Sequence, residues 1–228
     1  SETIDETGAL SPSFYSLTFG TTTGNATWTL VTGLDINNDL TVTRGTLARG
    51  SQVLTIAGAL TNAANGFWTG VASTTFDGTG TKIWTDSNAT LQNIGRVVVN
   101  GTSKTVQLGS NVLAQSIYIG ADDILDVTTA NHDLTVLSDW INNNTFIARS
   151  GEVFMSATTP NRTITAGADA FFDLTFNGAG GSWSFTEADL LVNNDFRVST
   201  GTVTMPTGTT TLLGSWSSVG GTFAHNNA

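Results

Sequence analysis

Cysteine is absent from this chain. That excludes disulfides, thiolate metal sites and a cysteine nucleophile. Charge is scarce as well: 11% of the residues are Asp, Glu, Lys or Arg, where about a quarter is usual. Lys and Arg number 8 against 18 Asp and Glu, for a formal net charge of -10. A surface so poor in clustered positive charge does not neutralise phosphate, so neither nucleic acid nor an anionic membrane is an expected partner. No apolar run approaches the ~20 residues of a membrane helix, and no membrane insertion is expected. Helix signals are nearly missing: no window sustains apolar residues at i, i+3 and i+4, and Thr, Asn, Gly and Val form helices poorly.

What is present is 39% hydrophobic residues, 25 Gly and a large excess of Thr, Asn and Ser. The length suits one large domain or two small ones. Few lysines, abundant Thr, Asn and Gly, and no cysteine suggest an extracellular, cell-surface microbial protein. The sequence opens at Ser1 without an initiator Met or signal peptide, and reads as a processed form or a piece of something longer.

The chain writes nearly the same line twice. Residues 17–42 read LTFGTTTGNATWTLVTGLDINNDLTV, and residues 174–198 read LTFNGAGGSWSFTEADLLVNNDFRV. Asn37-Asn38-Asp39 matches Asn193-Asn194-Asp195, Gly45-Thr46-Leu47 matches Gly201-Thr202-Val203, and Phe67 matches Phe223, at one offset of about 156 residues. A weaker middle copy sets Asn93-Ile94-Gly95 against Ser16-Leu17-Thr18 and Asp173-Leu174-Thr175, and aligns LTIAGALTN (54–62), LTVLSDWIN (134–142) and TLLGSWSS (211–218). Three copies of about 77–80 residues follow, at approximately 14–90, 91–170 and 171–228, the last incomplete. Residues 1–13, acidic and irregular, read as an N-terminal cap or linker.

Within each copy, runs of three to six apolar and β-branched residues alternate with period two, which marks strands. Gly, Asn, Asp and Thr separate them as turn formers. The chain is therefore all-β. Very short strands and recurring turns predict a parallel β-helix (β-solenoid) of about ten coils, because one coil cannot bury its apolar side alone. Matched residues of the long copies are expected to lie over one another, rung on rung. A four-bladed propeller would need the three copies to subdivide unevenly, and paired sandwiches would need the first and third copies to fold apart.

The pattern LTF…GGxW…L.VNNDF.V…GT(V/L), clearest at 174–203, resembles repeats of long secreted bacterial surface proteins. These are adhesin-like β-strand-repeat proteins of the filamentous haemagglutinin and autotransporter passenger type. The resemblance spans nearly the whole chain and carries no catalytic residue. It implies a right-handed β-helix at the cell surface and names no receptor.

Candidate chemistry is sparse. Asp122, Asp123 and Asp126 in ADDILDV form the densest acidic cluster, and alternation places Asp122 and Asp126 on one face. They are the candidate metal ligands, for Ca²⁺ with backbone oxygens, against a charged edge that discourages strand pairing. Neither an EF-hand loop nor a GGxGxDx repeat accompanies them. His132 and His225 read as turn residues rather than bases. Arg44, Arg49, Arg96, Arg149, Arg162, Arg197, Lys82 and Lys104 are spread singly along the chain, so a lyase or glycosidase groove is not indicated. Trp28 and Trp183, and Trp140 and Trp216, hold repeat positions and read as core. Trp68 and Trp84 lie outside those pairs and are the candidates for stacking on a surface glycan. The Thr runs 21–23 and 209–211 lack the regularity of an ice-binding array, and the sequons at Asn25, Asn88, Asn100, Asn143 and Asn161 are expected by chance in such a composition.

The expected function is thus a non-enzymatic extracellular rod without cofactor, either a stalk or adhesive segment or a self-associating fibre subunit. The alternative is a carbohydrate-binding or polysaccharide-degrading β-helix. The final GGTFAHNNA stops inside a repeat, and an open solenoid end leaves strand edges unpaired. Two readings stay open: the chain continues in a longer protein, or the end docks head-to-tail on the next subunit.

Overall fold

Backbone pairing alone defines the architecture. The structure, a computed structural model, describes residues 2–4 and 13–225. Every strand pairing among the described residues is parallel, and none of these residues is helical. The chain is a parallel β-solenoid of about ten turns. Of the segment expected as a cap or linker, only Glu2–Ile4 and Ser13 are described, and both belong to strands. The rest of it lies outside the described residues.

Following the pairings upward gives three columns of strands, so each turn has three faces. Face A stacks Ser13–Phe14, Leu34–Ile36, Leu54–Ile56, Thr74–Phe76, Arg96–Val99, Ser116–Ile119, Trp140–Asn142 and Arg162–Thr165. It then continues through residues 183–185 and 202–204 to Thr222–Ala224. Face B runs from Leu17–Phe19 through residues 40–42 and 60–62, Thr79–Asp86, Thr102–Leu108, Ile124–Asp126 and Thr145–Ile147. Phe146 packs on Phe171, which bridges to Leu190–Val192, and Thr210–Leu212 ends the column. Face C begins with Glu2–Ile4, Thr27–Leu30 and residues 46–48 and 67–69. It resumes at the Asn93 bridge, followed by Val112–Ala114, Leu134–Val136, Glu152–Met155, residues 174–176 and 196–198, and Trp216–Ser218.

Alternation turns one set of side chains inward on every rung, and like residues then stack. On face A, Ile36, Ile56, Phe76, Val99 and Ile119 lie directly above one another, each with no exposed surface. Leu34, Leu54, Thr74, Val97, Ile117, Trp140 and Ile164 form a parallel inner row. Burying a Leu, Ile or Phe in this way contributes about 1.5–3 kcal/mol each. Beneath two corners a tryptophan fills the space left by a glycine. Gly45 and Gly201 have φ of 103° and 84°, and a Cβ there would lie 2.7 and 2.6 Å from the Trp28 and Trp183 rings.

The scattered acids have a shared task. An Asp or Asn stands immediately before the first inward residue of a strand, and its Oδ1 accepts the backbone N–H one rung higher. Asp39 receives Ala59 N at 2.8 Å, Asp139 receives Thr163 N at 2.8 Å, and Asp189 receives Thr209 N at 2.6 Å. At the start of face C the same bracket repeats upward: Asn111 to Asp133, Asp133 to Glu152, Asp173 to Asp195 and Asp195 to Ser215. Hydrogen bonds to charged acceptors contribute about 1.5–3 kcal/mol, more than neutral ones.

The long sequence repeat does not coincide with the turns. Vertical neighbours are about 20 residues apart, as in Leu34, Leu54 and Thr74. Counting strand segments along the chain, Leu17, Val97 and Leu174 are separated by eleven segments each. Eleven is not a multiple of three, so each copy advances three and two-thirds turns. Leu17 therefore lies on face B, Val97 on face A and Leu174 on face C. Matched residues of the long copies do not sit over one another as expected. The copies wind around the column, and the Trp28–Gly45 packing recurs as Trp183–Gly201 one face away. The structural counterpart of Leu17 in the middle copy is Val97 rather than Asn93-Ile94-Gly95, and the inward counterpart of Phe223 is Trp68 rather than Phe67.

The Asp brackets predict an isosteric test. Asp195→Ala removes the acceptor for Ser215 N and is expected to lower unfolding stability by about 1–2 kcal/mol. Asp195→Asn keeps an Oδ1 acceptor and is expected to lose less than half of that, measured by urea denaturation of both variants.

Candidate functional site

The residues nominated for sugar stacking are interior residues. Trp84 is 1% exposed and Trp68 is 7% exposed. Trp84 lies between Leu60 and Leu108 on face B and packs on Phe76 at 6.2 Å between ring centroids. Trp68 is covered by the Arg49 guanidinium, 5.5 Å from its ring. Both also have repeat counterparts once the register is known: Phe146 for Trp68 and Ile164 for Trp84. Neither presents a face to a ligand, and the expectation of glycan contact at these two positions is corrected.

The ADDILDV acids do not converge. Asp122 Oδ2 accepts Ser103 N, whereas Asp123 accepts Gly101 N and Lys104 N. Asp126 points elsewhere, and its two oxygens receive Arg149 Nε at 2.7 Å and Nη2 at 2.9 Å. Among the described residues no group of three His, Asp or Glu side chains is placed to hold a metal ion. The lone pairs a cation would need are already committed to amides and a guanidinium. Hydrogen bonding from Arg149, before any other influence, holds the Asp126 carboxyl below the usual carboxylate range.

Two cations lie wholly inside, a feature that single-residue reading of the chain did not flag. Arg49 has no exposed surface. Its guanidinium reaches across three rungs, donating to Gly70 O, Ala72 O, Ser73 O, Thr74 Oγ1 and Ile94 O. Burial pulls its pKa down to about 10, so it remains charged at neutral pH. This is where face C has only an isolated bridge between residues 67–69 and 112–114, and Arg49 replaces the missing ladder bonds. Close by, Asp86 accepts Asn62 Nδ2, Asn88 N and Gln92 N, shaping the insertion Ser87–Gln92. Lys104, also without exposed surface, donates Nζ to Ala57 O. Its pKa is lowered first by burial and then by Lys82. Burial, reinforced by Asp35, raises that of Asp77.

The remaining charges are dispersed or stacked in one line. Arg162 approaches Asp139 at 3.8 Å, and Arg96 lies over the Tyr118 ring at 5.1 Å. Among the described residues an acidic row runs along the bracket column, where Glu152 and Asp173 are direct vertical partners between Asp133 and Asp195. Burial and then the flanking Asp173 and Asp133 push the Glu152 carboxyl up. The recoverable signal was an acid directly preceding an inward apolar residue at rung spacing. A shallow hollow of about 270 Å³ holds Asp169 and Asp189. Asp169 there accepts Phe146 N and Asn142 Nδ2, and Asp189 accepts Thr209 N, so neither is poised as an acid or base. His132 is a half-buried corner residue, its amide bonded to Val127 O.

Among the described residues, Thr210–Leu212, Trp216–Ser218 and Thr222–Ala224 pair with the rung below. Trp216 is 43% exposed and Phe223 is 37% exposed. With Met205, Leu212 and His225 they line an end hollow of about 290 Å³. Trp216 stacks on Phe196 below it at 4.6 Å and 7°, and meets Phe223 edge-on at 4.7 Å. Its upper face is open.

The chain matches no protein-family model, no curated protein and no solved structure.

Two measurements probe the interior charges. Arg49→Met takes the guanidinium donor from Ala72 O and one of the two donors from Ile94 O, the other being Thr74 Oγ1, and is expected to cost about 3 kcal/mol or more, read from urea denaturation. Arg49→Lys, with one ammonium in place of a fork, is expected to recover only part of this. For Asp126 the folded pKa lies below the unfolded value. Its contribution is complete above the ordinary carboxylate pKa of about 3.9 and is lost as pH falls through the folded value. Arg149→Gln brings the folded pKa back toward the unfolded one, so it is expected to lower the melting midpoint near neutral pH and to shrink its further fall below about pH 4.

Proposed function

We propose that this chain is a non-enzymatic structural rod of an extracellular microbial surface, acting as a stalk or adhesive segment. The observation that carries this reading is three stacked ladders around a filled core, with the buried cations and most bracket acids bound to the backbone. The hydrogen bonds of a parallel solenoid run along its axis. Bending the rod therefore strains many bonds at once, which suits a spacer that must hold a distance. The reading is supported by the placement of the charges: among the described residues, Asp169, Asp189 and Asp126 are bound to amides or to Arg149 rather than paired across a groove, as glycoside cleavage would require.

The outer surface supports the adhesive part. Thr18, Thr41, Thr61 and Thr85 are vertical neighbours on face B, between inward-facing residues. They form a row of hydroxyls at rung spacing, about 4.8 Å. A row of that kind meets other hydroxyl-rich surfaces, surface glycans included, through many weak polar contacts and without a pocket.

Solution scattering tests the shape, and a reducing-end assay tests the chemistry. A rod about 50 Å long, from ten rungs at about 4.8 Å, is expected, with no shortening of any polysaccharide in a panel of acidic and neutral glycans. A rounded particle, or new reducing ends that accumulate with protein concentration, would overturn the proposal.

A further inference from the structure

We infer that the side chains of Lys104 and Asp77 condense to an amide, a covalent staple between two adjacent rungs in the interior of the solenoid. The bond is independent of the rod reading, because it concerns the interior rather than the outer surface.

Its place is the corner where face A passes into face B. Ile56 reaches Leu60 through Ala57-Gly58-Ala59, but Phe76 reaches Trp84, directly above Leu60, by a longer path through Gly78 and Gly80. The ladder above it slips in register between Thr79 and Gly80, and Ser103 holds a positive φ of 51°. Beneath this widened corner Lys104 takes an inward position in line with Val106 and Leu108. Asp123 accepts its backbone N–H and that of Gly101.

The lysine side chain runs past the aspartate. Lys104 pairs directly above Gly80, one rung above Asp77, yet its Nζ donates to Ala57 O. Ala57 lies one rung below Asp77, since Phe76 stands on Ile56 and Asp77 N donates to Ile56 O. The stem therefore starts above Asp77 and ends below it, crossing its level inside the corner. Lys104 has no exposed surface. The two residues approach closely at Gly101, where a Cβ would lie 2.9 Å from Lys104 Cβ and 3.2 Å from the Asp77 carbonyl carbon. Asp77 Oδ1 is buried and has no hydrogen-bond partner. A buried acid oxygen without a donor, beside a buried amine whose acceptor is one carbonyl, leaves both groups under-satisfied.

Their environment favours the reactive forms. Burial, then Lys82, lowers the Lys104 pKa against the pull of Asp77 and Asp123. Burial, then Asp35, raises that of Asp77 against Lys104. A neutral amine is the nucleophile and a protonated carboxyl the acceptor. The flexible lysine stem and rotation of the aspartate side chain bring Nζ to Cγ, while the ladders hold both backbones. The Nζ lone pair adds to Asp77 Cγ, and the hydroxyl leaves with an amine proton as water. One C–N bond replaces one C–O bond. Nothing is oxidised or reduced, and no co-reactant is required. The remaining N–H can keep its bond to Ala57 O. The product ties the two rungs where their ladder slips, at the level where Arg49 bridges the gap in face C.

Intact mass of the purified, folded chain, read after denaturation, tests this. The chain is expected to be lighter than its sequence mass by one water. Trypsin is expected to leave Lys104 uncut and to release a branched peptide joining residues 50–82 to residues 97–149. Lys104→Arg keeps a cation without the nucleophile, and Asp77→Ala removes the acid. Both are expected at their full sequence mass, with far-UV circular dichroism to verify folding. An unchanged chain at full sequence mass overturns the inference. So does a lost water mapped to a linear peptide, as a cyclic imide at Asp77-Gly78 would give, or a folded Lys104→Arg variant that still loses it. The mass and the branched peptide of the unchanged chain decide the matter even where a variant fails to fold.

Discussion

Parallel backbone pairing between residues about one turn apart is the constraint on which this molecule depends. In a parallel ladder a strand must be bonded above and below, and its side chains alternate strictly in and out. Once Leu34, Leu54 and Thr74 share a column, the length of chain between them is free to vary only at the corners. Successive rungs accordingly differ, from 19 residues between Thr27 and Thr46 to 26 between Glu2 and Trp28. The extra residues gather in turns such as Ser87–Gln92, where side chains rather than ladders supply the bonds. Core composition follows from the same constraint, because an inward residue must tolerate its counterpart immediately above and below it.

Charge plays an internal role. Many acids that read as scattered along the chain are brackets between rungs, Arg49 bridges the gap in the face C ladder, and Lys104 satisfies the corner carbonyl of Ala57. A carboxylate beside several strand starts satisfies an amide at the corner one rung higher. That arrangement is economical for a protein with 18 acids and 8 bases. It leaves a surface rich in hydroxyls and amides.

Much of the fold was legible in the linear chain. Period-two alternation, turn residues and the missing helix signals specify short strands, and self-similarity at 77–80 residues specifies stacking. Sites were less legible. Trp68 and Trp84 stood out because no partner at the long offset was visible, yet their counterparts are Phe146 and Ile164, which keep the inward apolar character but not the identity. Asp122, Asp123 and Asp126 are neighbours in sequence, but a corner and the inward turn of the strand send each carboxylate to different partners. The acidic column is hard to see in the linear chain because its members are a whole turn apart, and it shows only as acids preceding inward apolar residues at rung spacing.

The amino-acid order by itself determined that the chain forms short strands in a repeating, stacked solenoid, since alternation and turn chemistry are local properties. Only the tertiary structure decided that a turn has three faces and that each long repeat holds eleven strand segments. Pairing is closed by the corners, and the number of corners in a turn is not encoded in the period of the repeat. For that reason equivalent leucines at 17, 97-equivalent valine and 174 lie on three different faces of one column.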